Sequence, residues 1–196
     1  MNGRLAVTRI LISIEWFRLF VFIIITEKTY SKIMKKGFIT LIMFFSMITI
    51  HAQKISYGSF GALKNERTVS VSIDYSESKI DKVPFDIFLE SEEEWDKGYH
   101  DILLNFVKAA NKYGHGIKYI TKKTSNYQLV FKAKDVDQDG ETIGSLILLD
   151  KNDHIVGVAD KFHARGGKYG SQMNLMGDAS ERMGKKVGKF IKKQVR

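Results

Sequence analysis

Carboxylate side chains stand at alternate positions between residues 135 and 141. Three aspartates at alternate positions, followed by a glycine, match the first half of a calcium-binding EF-hand loop. The second half does not match, because position 12 should be a bidentate Glu and is Leu146. The flanking residues alternate as strands do, so we interpret the run as an acidic hairpin turn. Weak calcium binding is the alternative, and its ligands would be Asp135, Asp137, Asp139 and Glu141.

Positive charge is concentrated at the C-terminal end of the chain. Residues 182–196 contain seven basic residues and no acidic one. Such a face can bind an anionic membrane surface, a polyanionic glycan or an acidic protein. The alternative is a solvated helix end that carries Lys and Arg. The acidic stretch 86–101 is complementary in charge to these basic residues, either within one molecule or between neighbouring molecules. The candidate residues for an anionic partner are Arg182, Lys185, Lys186, Lys189, Lys192, Lys193 and Arg196.

Groups for catalysis or for cofactor binding are not arranged in a recognisable motif. Four histidines follow residue 52, and none of them has the spacing of a metal site. No serine lies in a nucleophile elbow, and no phosphate-binding glycine loop is complete. The chain has no Cys, which excludes disulfide-stapled, iron–sulfur and thiolate-zinc proteins. We therefore predict no catalytic residue, no cofactor and no metal site other than the calcium alternative.

The segment 34–52 has the three parts of a secretory signal. Two lysines follow Met34, an apolar run covers residues 38–50, and Ala52 precedes a polar stretch. The run is shorter than the roughly 20 residues that a spanning helix needs. We expect cleavage near Ala52 and a mature protein in the periplasm or outside the cell. The alternative is a signal anchor that stays attached.

Residues 1–33 have no evident role ahead of a signal peptide. They contain a second apolar stretch, residues 10–26, which Glu15 and Arg18 interrupt. A charge near the centre of a spanning helix costs about 2.5–3.5 kcal/mol. Our hypothesis is that translation starts at Met34 and that residues 1–33 are an upstream extension. The alternative is a membrane-anchored protein that retains two N-terminal helices.

The excess of basic residues belongs largely to the targeting region. The chain of 196 residues has 31 Lys and Arg against 22 Asp and Glu, a net charge of +9. Residues 1–52 hold seven of the basic and two of the acidic residues, which leaves 24 and 20, a net charge of +4. Nucleic acid is therefore not expected as a partner of the mature part.

The residues from 53 onward have the periodicity of one α+β domain. Strands are predicted at 68–75, 117–121, 127–134, 143–149 and 155–162. One helix, with a capping box at Ser91 and Glu94, ends at Gly114, and a second covers about 174–193. The predicted fold is a mainly antiparallel sheet of four to five strands with two helices, in the order β-α-β-β-β-β-α. Gly184 and Gly188 predict a close approach of the last helix to the sheet.

Several segments resemble a family of exported, functionally uncharacterised envelope proteins of Gram-negative bacteria. The resemblance covers most of residues 66–195 and depends on 69–76, 88–89, Trp95, 127–131 and 184–193. It brings no catalytic residue. The order of elements is loosely similar to the N-terminal domain of TolB and to periplasmic domains of the curli secretion pore, which are interaction modules.

The function that this resemblance implies is that of an exported binding or assembly module without enzymatic activity. Its partner would be an unknown protein or an anionic envelope surface, in an oligomeric state that the sequence leaves open. The alternative from another class is a small hydrolase whose polar residues converge only in three dimensions. A deep pocket with converging Asp, Glu or His would favour the hydrolase.

Overall fold

The computed structural model describes residues 53–114 and 116–196, and these residues form eight strands and three α-helices. The predicted signal peptide 34–52 and the upstream segment 1–33 lie outside the described residues. The strands are β1 (Lys54–Gly58), β2 (Thr68–Asp74), β3 (Lys79–Ile80), β4 (Val83–Pro84), β5 (Lys118–Ile120), β6 (Tyr127–Val136), β7 (Thr142–Asp150) and β8 (Ile155–Ala164). The helices are α1 (Phe85–Ser91), α2 (Trp95–Gly114) and α3 (Gln172–Gln194), and a 3₁₀ helix (Gly61–Asn65) follows β1.

All eight strands belong to one mixed sheet in the order β1-β8-β7-β6-β2-β5, with β3 beside the end of β6 and β4 beside β3. The antiparallel meander predicted for β6, β7 and β8 is confirmed. In contrast, β2 runs parallel to both of its neighbours, β5 and β6, and Val71 is paired with Leu129. The short strand β3 is also parallel to β6.

The predicted fold of four to five mainly antiparallel strands with two helices is therefore wrong. Five of the strands and the two long helices lie close to the predicted segments. The added elements are short: β1 has five residues, β3 and β4 have two each, and α1 has seven. A pattern of period two needs about four residues to be visible. Alternation also shows which face of a strand is buried but not the direction of its neighbour, so the parallel pairs were missed.

One face of the sheet carries the core. Leu129 and Phe131 of β6 and Leu146 and Leu148 of β7 are buried, and they belong to one apolar cluster with residues of α2 and α3. The partly exposed Val130 is on the opposite face of β6. Each fully buried large apolar side chain contributes about 1.5–3 kcal/mol through the hydrophobic effect. The apolar side chains on this face of the strands therefore hold the long helices on the sheet.

The two long helices pack side by side and run in the same direction. Ser180 Oγ donates a hydrogen bond to the Ile102 carbonyl oxygen over 2.7 Å. Further along, a Cβ atom built at Gly184 would lie 2.1 Å from the Phe106 carbonyl oxygen, and one built at Gly188 would lie 2.7 Å from that of Ala110. The close approach predicted from these glycines is real, but its partner is α2 and not the sheet. As a result, the C-terminal ends of both helices meet at one end of the domain.

The predicted capping box at the start of the first long helix is wrong. Ser91 is the last residue of α1, and its Oγ donates to the Phe88 carbonyl oxygen over 2.9 Å. The longer helix α2 begins at Trp95, the residue after Glu94. Trp95 packs against α1, with 5.0 Å between its ring centroid and that of Phe85. These aromatic contacts hold the short helix, which has no buried residue of its own, against α2.

A charged hydrogen bond links β7 to β8 on the side of the sheet away from the core. Ser145 Oγ donates to Asp160 Oδ1 over 2.6 Å. This hydrogen bond is the main reason why the pKa of Asp160 lies below its ordinary value of 3.8. A hydrogen bond from Ser56 and the charge of Lys134 also lower this pKa. The ionised carboxylate therefore stabilises the folded chain.

We expect Asp160→Asn to lower the melting temperature at pH 7, and the difference from wild type to disappear at low pH. A carboxyl group with a lowered folded-state pKa stabilises above its unfolded pKa of 3.8, and this contribution is lost as the pH falls through the folded pKa. Thermal unfolding between neutral and acid pH measures the effect. Ser145→Ala, which removes the donor, should shift the acid limb back towards the ordinary pKa. A difference that stays constant over the whole range would contradict this account.

Candidate anion-binding site

A groove of about 280 Å³ opens where the C-terminal ends of α2 and α3 meet. We call it the basic groove. It is lined by Lys112, Tyr113, Lys189, Lys192, Lys193 and Arg196. The first two residues belong to the last turn of α2, and the other four belong to the end of α3 and the residues after it.

The parallel packing of the two helices creates this groove. The glycines of α3 let this helix lie directly on the α2 backbone. The last turns of the two parallel helices therefore lie next to each other. Side chains that are about 80 residues apart in the sequence then share one surface. The buried face of α2 ends at Ala110 and Gly114, and that of α3 ends at Phe190 and Ile191, so the neighbouring cations lie outside the core.

The aromatic ring of Tyr113 gathers three ammonium groups. The Nζ atoms of Lys185, Lys189 and Lys112 lie 5.0, 5.5 and 5.7 Å from its ring centroid. A cation at this distance from an aromatic face is attracted by about 0.5–1 kcal/mol at an exposed site. The attraction to the Tyr113 ring thus offsets part of the repulsion between these like charges.

No Asp or Glu side chain of the described residues balances the charge of the basic groove. Among the described residues, none of its five cations forms an ion pair with Asp or Glu. The two helix ends that meet here each carry about −0.5 of an elementary charge, or about −1 together. Compensation of the helix dipoles therefore accounts for about one of the five cations. The surplus of about four positive charges attracts an anionic ligand.

The seven predicted cations divide into two groups. Lys189, Lys192, Lys193 and Arg196 line the basic groove, and Lys185 lies on the Tyr113 ring beside it. The other two, Arg182 and Lys186, lie one helical turn apart and point away from the groove.

Arg182 and Lys186 bind the end of β8 and the connection that follows it. Arg182 donates to the carbonyl oxygens of Arg165, over 2.8 Å, and of Gly166. Lys186 donates to the carbonyl oxygen of His163. Partial burial of the Lys186 ammonium group, followed by the nearby charge of Arg165, lowers its pKa. These two residues hold the chain in place and are not available to a ligand in the basic groove.

Lys112 and Tyr113 are the groove residues that the sequence analysis missed. The signal available in the sequence was a cation in the last turn of a helix, which is common because it complements the helix dipole. Only the parallel arrangement of α2 and α3 shows that this turn faces the basic end of α3. An antiparallel arrangement would have placed Lys112 at the opposite end of the domain.

The carboxylates proposed for calcium form a hairpin turn. Asp137 Oδ1 accepts hydrogen bonds from the backbone nitrogens of Asp139 and Glu141, over 2.9 and 2.8 Å. Glu141 Oε1 lies 2.7 Å from His163 Nε2, and Asp135 is paired with Ile143. Within the described ranges, no three His, Asp or Glu side chains are placed so that they could hold a metal ion. These hydrogen bonds and the pairing of β6 with β7 make the run a hairpin turn, and weak calcium binding to it stays a prediction.

The features expected of a hydrolase are not brought together in the basic groove, because its lining has no Asp, Glu or His. A general acid or base of carboxyl or imidazole type is therefore missing from this site.

Among the helices of residues 53–196 that the structure describes, none is both long and apolar enough to cross a membrane.

Comparison with known proteins gives distant structural neighbours. No protein-family model matches the sequence, and no curated protein matches it. The dodecameric PelC from Paraburkholderia phytofirmans is 16% identical, covers 74% of this chain and 98% of its own, and has a TM-score of 0.40. A DUF330 protein from Xanthomonas campestris is 10% identical, covers 63% of this chain and 80% of its own, and has a TM-score of 0.28.

These neighbours are bacterial proteins, and one of them belongs to a family of unknown function. Because their TM-scores are below 0.5, we assign none of their activities or partners to this chain. The predicted resemblance to the TolB and curli-secretion domains stays a prediction.

Proposed function

We propose that this protein is an exported, non-enzymatic binding module that holds an anionic partner in its basic groove. The observation that carries the proposal is the groove itself, in which five cationic side chains converge where two helices end, with no Asp or Glu among the lining residues. Export is supported by the signal-like segment 34–52, which would leave the binding module in the periplasm or outside the cell.

The electrostatics of the basic groove set what such binding should look like. Surface cations attract a polyanion with a strength that decreases with ionic strength, because salt screens exposed charges beyond about 8–10 Å. A concave site focuses this field more than a flat surface does. Binding through the groove should therefore depend on salt and on these particular cations, rather than on the net charge of the chain.

The test uses the full chain and fluorescein-labelled heparin as a generic polyanion, with affinity measured by fluorescence anisotropy. We expect binding that weakens as salt is added. The double variant Lys189→Glu and Lys193→Glu should weaken binding by at least about tenfold, since each lysine near a polyanionic surface contributes about 1 kcal/mol and each glutamate adds repulsion.

A matched control changes the net charge by the same amount elsewhere. Lys151 and Lys168 are exposed and lie in loops outside the basic groove. The double variant Lys151→Glu and Lys168→Glu should bind heparin nearly as wild type does. Equal losses in both double variants, or no binding by wild type at low salt, would overturn the proposal.

A further inference from the structure

We infer that the basic groove is a binding site for a compact ligand that carries two phosphate groups. This inference rests on the proposed function and names the chemical class of the anion. Three features of the groove point to phosphate rather than carboxylate: its charge within a small volume, the kinds of polar atoms in its lining, and its concave shape between two helix ends.

The first feature is the density of charge. Five cations surround about 280 Å³, and the two helix ends offset about one of them. One phosphate monoester carries about −1.5 to −2 at neutral pH, so two such groups match the remaining charge. A carboxylate carries −1 only. Four carboxylates with their carbon skeleton would have to enter the same space.

The second feature is that the charged lining consists of donors. Each Lys ammonium group has three N–H donors and no acceptor, and the Arg196 guanidinium group has five. The Tyr113 hydroxyl can donate as well. A ligand that satisfies such a set must be rich in acceptors, and phosphate offers more acceptor oxygens per group than carboxylate does.

The third feature is the shape of the site. The lining comes from two helices, with Lys112 on one side and Lys189 and Lys193 on the other. A compact anion can contact both sides at once. The phosphates can come from a soluble molecule or from a lipid headgroup that projects into the groove, and the experiment separates these two sources.

The soluble arm compares pyrophosphate with citrate, which has a similar total charge at neutral pH but carries it on carboxylates. Titration calorimetry of the full chain should show pyrophosphate binding at least about tenfold more tightly than citrate. Lys189→Glu with Lys193→Glu should abolish the preference, while Lys151→Glu with Lys168→Glu should retain it.

The lipid arm compares two sets of phosphatidylcholine vesicles that are matched in zeta potential. One set contains phosphatidylinositol 4-phosphate, whose headgroup carries two phosphate groups, and the other contains a fatty-acid carboxylate. A preference for phosphatidylinositol 4-phosphate that the groove variant loses would identify a lipid phosphate as the ligand. A preference in the soluble arm alone would identify a soluble phosphate, and either result supports the inference.

The inference is overturned if neither arm prefers phosphate to carboxylate, or if the groove variant keeps the preference. In the first case, heparin binding that still depends on Lys189 and Lys193 would leave the proposed function intact, so that only the assignment to phosphate fails. Loss of heparin dependence as well would remove both.

Discussion

Gly184→Ala is expected to lower the melting temperature by about 5–10 °C, although alanine is the better helix former. Its Cβ would lie 2.1 Å from the carbonyl oxygen of Phe106, a backbone atom that cannot rotate away. Overpacking of this kind costs about 1–3 kcal/mol, and the upper end applies to a contact this short. The gain in helix propensity is about 1 kcal/mol. The steric cost therefore exceeds the gain, and the two helices must move apart.

Gly177→Ala in the same helix is the matched control, and its effect should have the opposite sign. A Cβ at this position would meet only the Asn105 side-chain nitrogen at 3.4 Å, an ordinary van der Waals distance. The helix-propensity term of about 1 kcal/mol then acts alone and should raise the melting temperature by about 2–4 °C. Thermal unfolding by circular dichroism measures both variants.

The pair of glycine variants also tests how the basic groove is built. If Gly184→Ala separates the last turns of α2 and α3, the cluster of cations around Tyr113 should loosen, and heparin binding should weaken as well. Gly177→Ala should leave binding unchanged. Similar melting temperatures for the two variants would mean that the helices do not cross at Gly184 as described.

Phe131→Ala is expected to destabilise the chain by about 3–5 kcal/mol, which is a large part of the 5–15 kcal/mol typical of a whole domain. Phe131 is 2% exposed in the middle of β6, and its ring centroid lies 6.4 Å from that of Phe106 in α2. The truncation leaves a cavity between the sheet and a helix, and neither can collapse to fill it. Urea denaturation measures the free energy of unfolding.

Two variants separate the effect of the cavity from a general effect on the strand. Phe131→Leu keeps most of the apolar volume and should cost about 1–1.5 kcal/mol. Val130→Ala changes the next residue of β6, which points to the opposite face of the sheet and is partly exposed, and should cost about 1 kcal/mol or less. A loss for Val130→Ala as large as that for Phe131→Ala would contradict the described placement of the core on one face.

The candidate site shows how far a local pattern can lead to a binding surface. The row of cations on the last helix was visible in the sequence, and four of its seven members line the basic groove. The pattern did not separate them from Arg182 and Lys186, which bind backbone carbonyl groups of the preceding connection. Helical periodicity places all seven in neighbouring arcs, and only the neighbouring elements distinguish an outward cation from one that holds a loop.

Local periodicity was sufficient for the two long helices, the longer strands, the β6–β8 meander and the acidic hairpin turn, because each depends on contacts between residues that are near one another in the chain. The strand directions around β2, the short strands β3 and β4, the short helix α1 and the position of Lys112 and Tyr113 depend on distant residues. Parallel pairing and helix crossing are decided by which surfaces bury the most apolar area together. That competition involves the whole domain, so the groove became visible only once α3 was placed on α2.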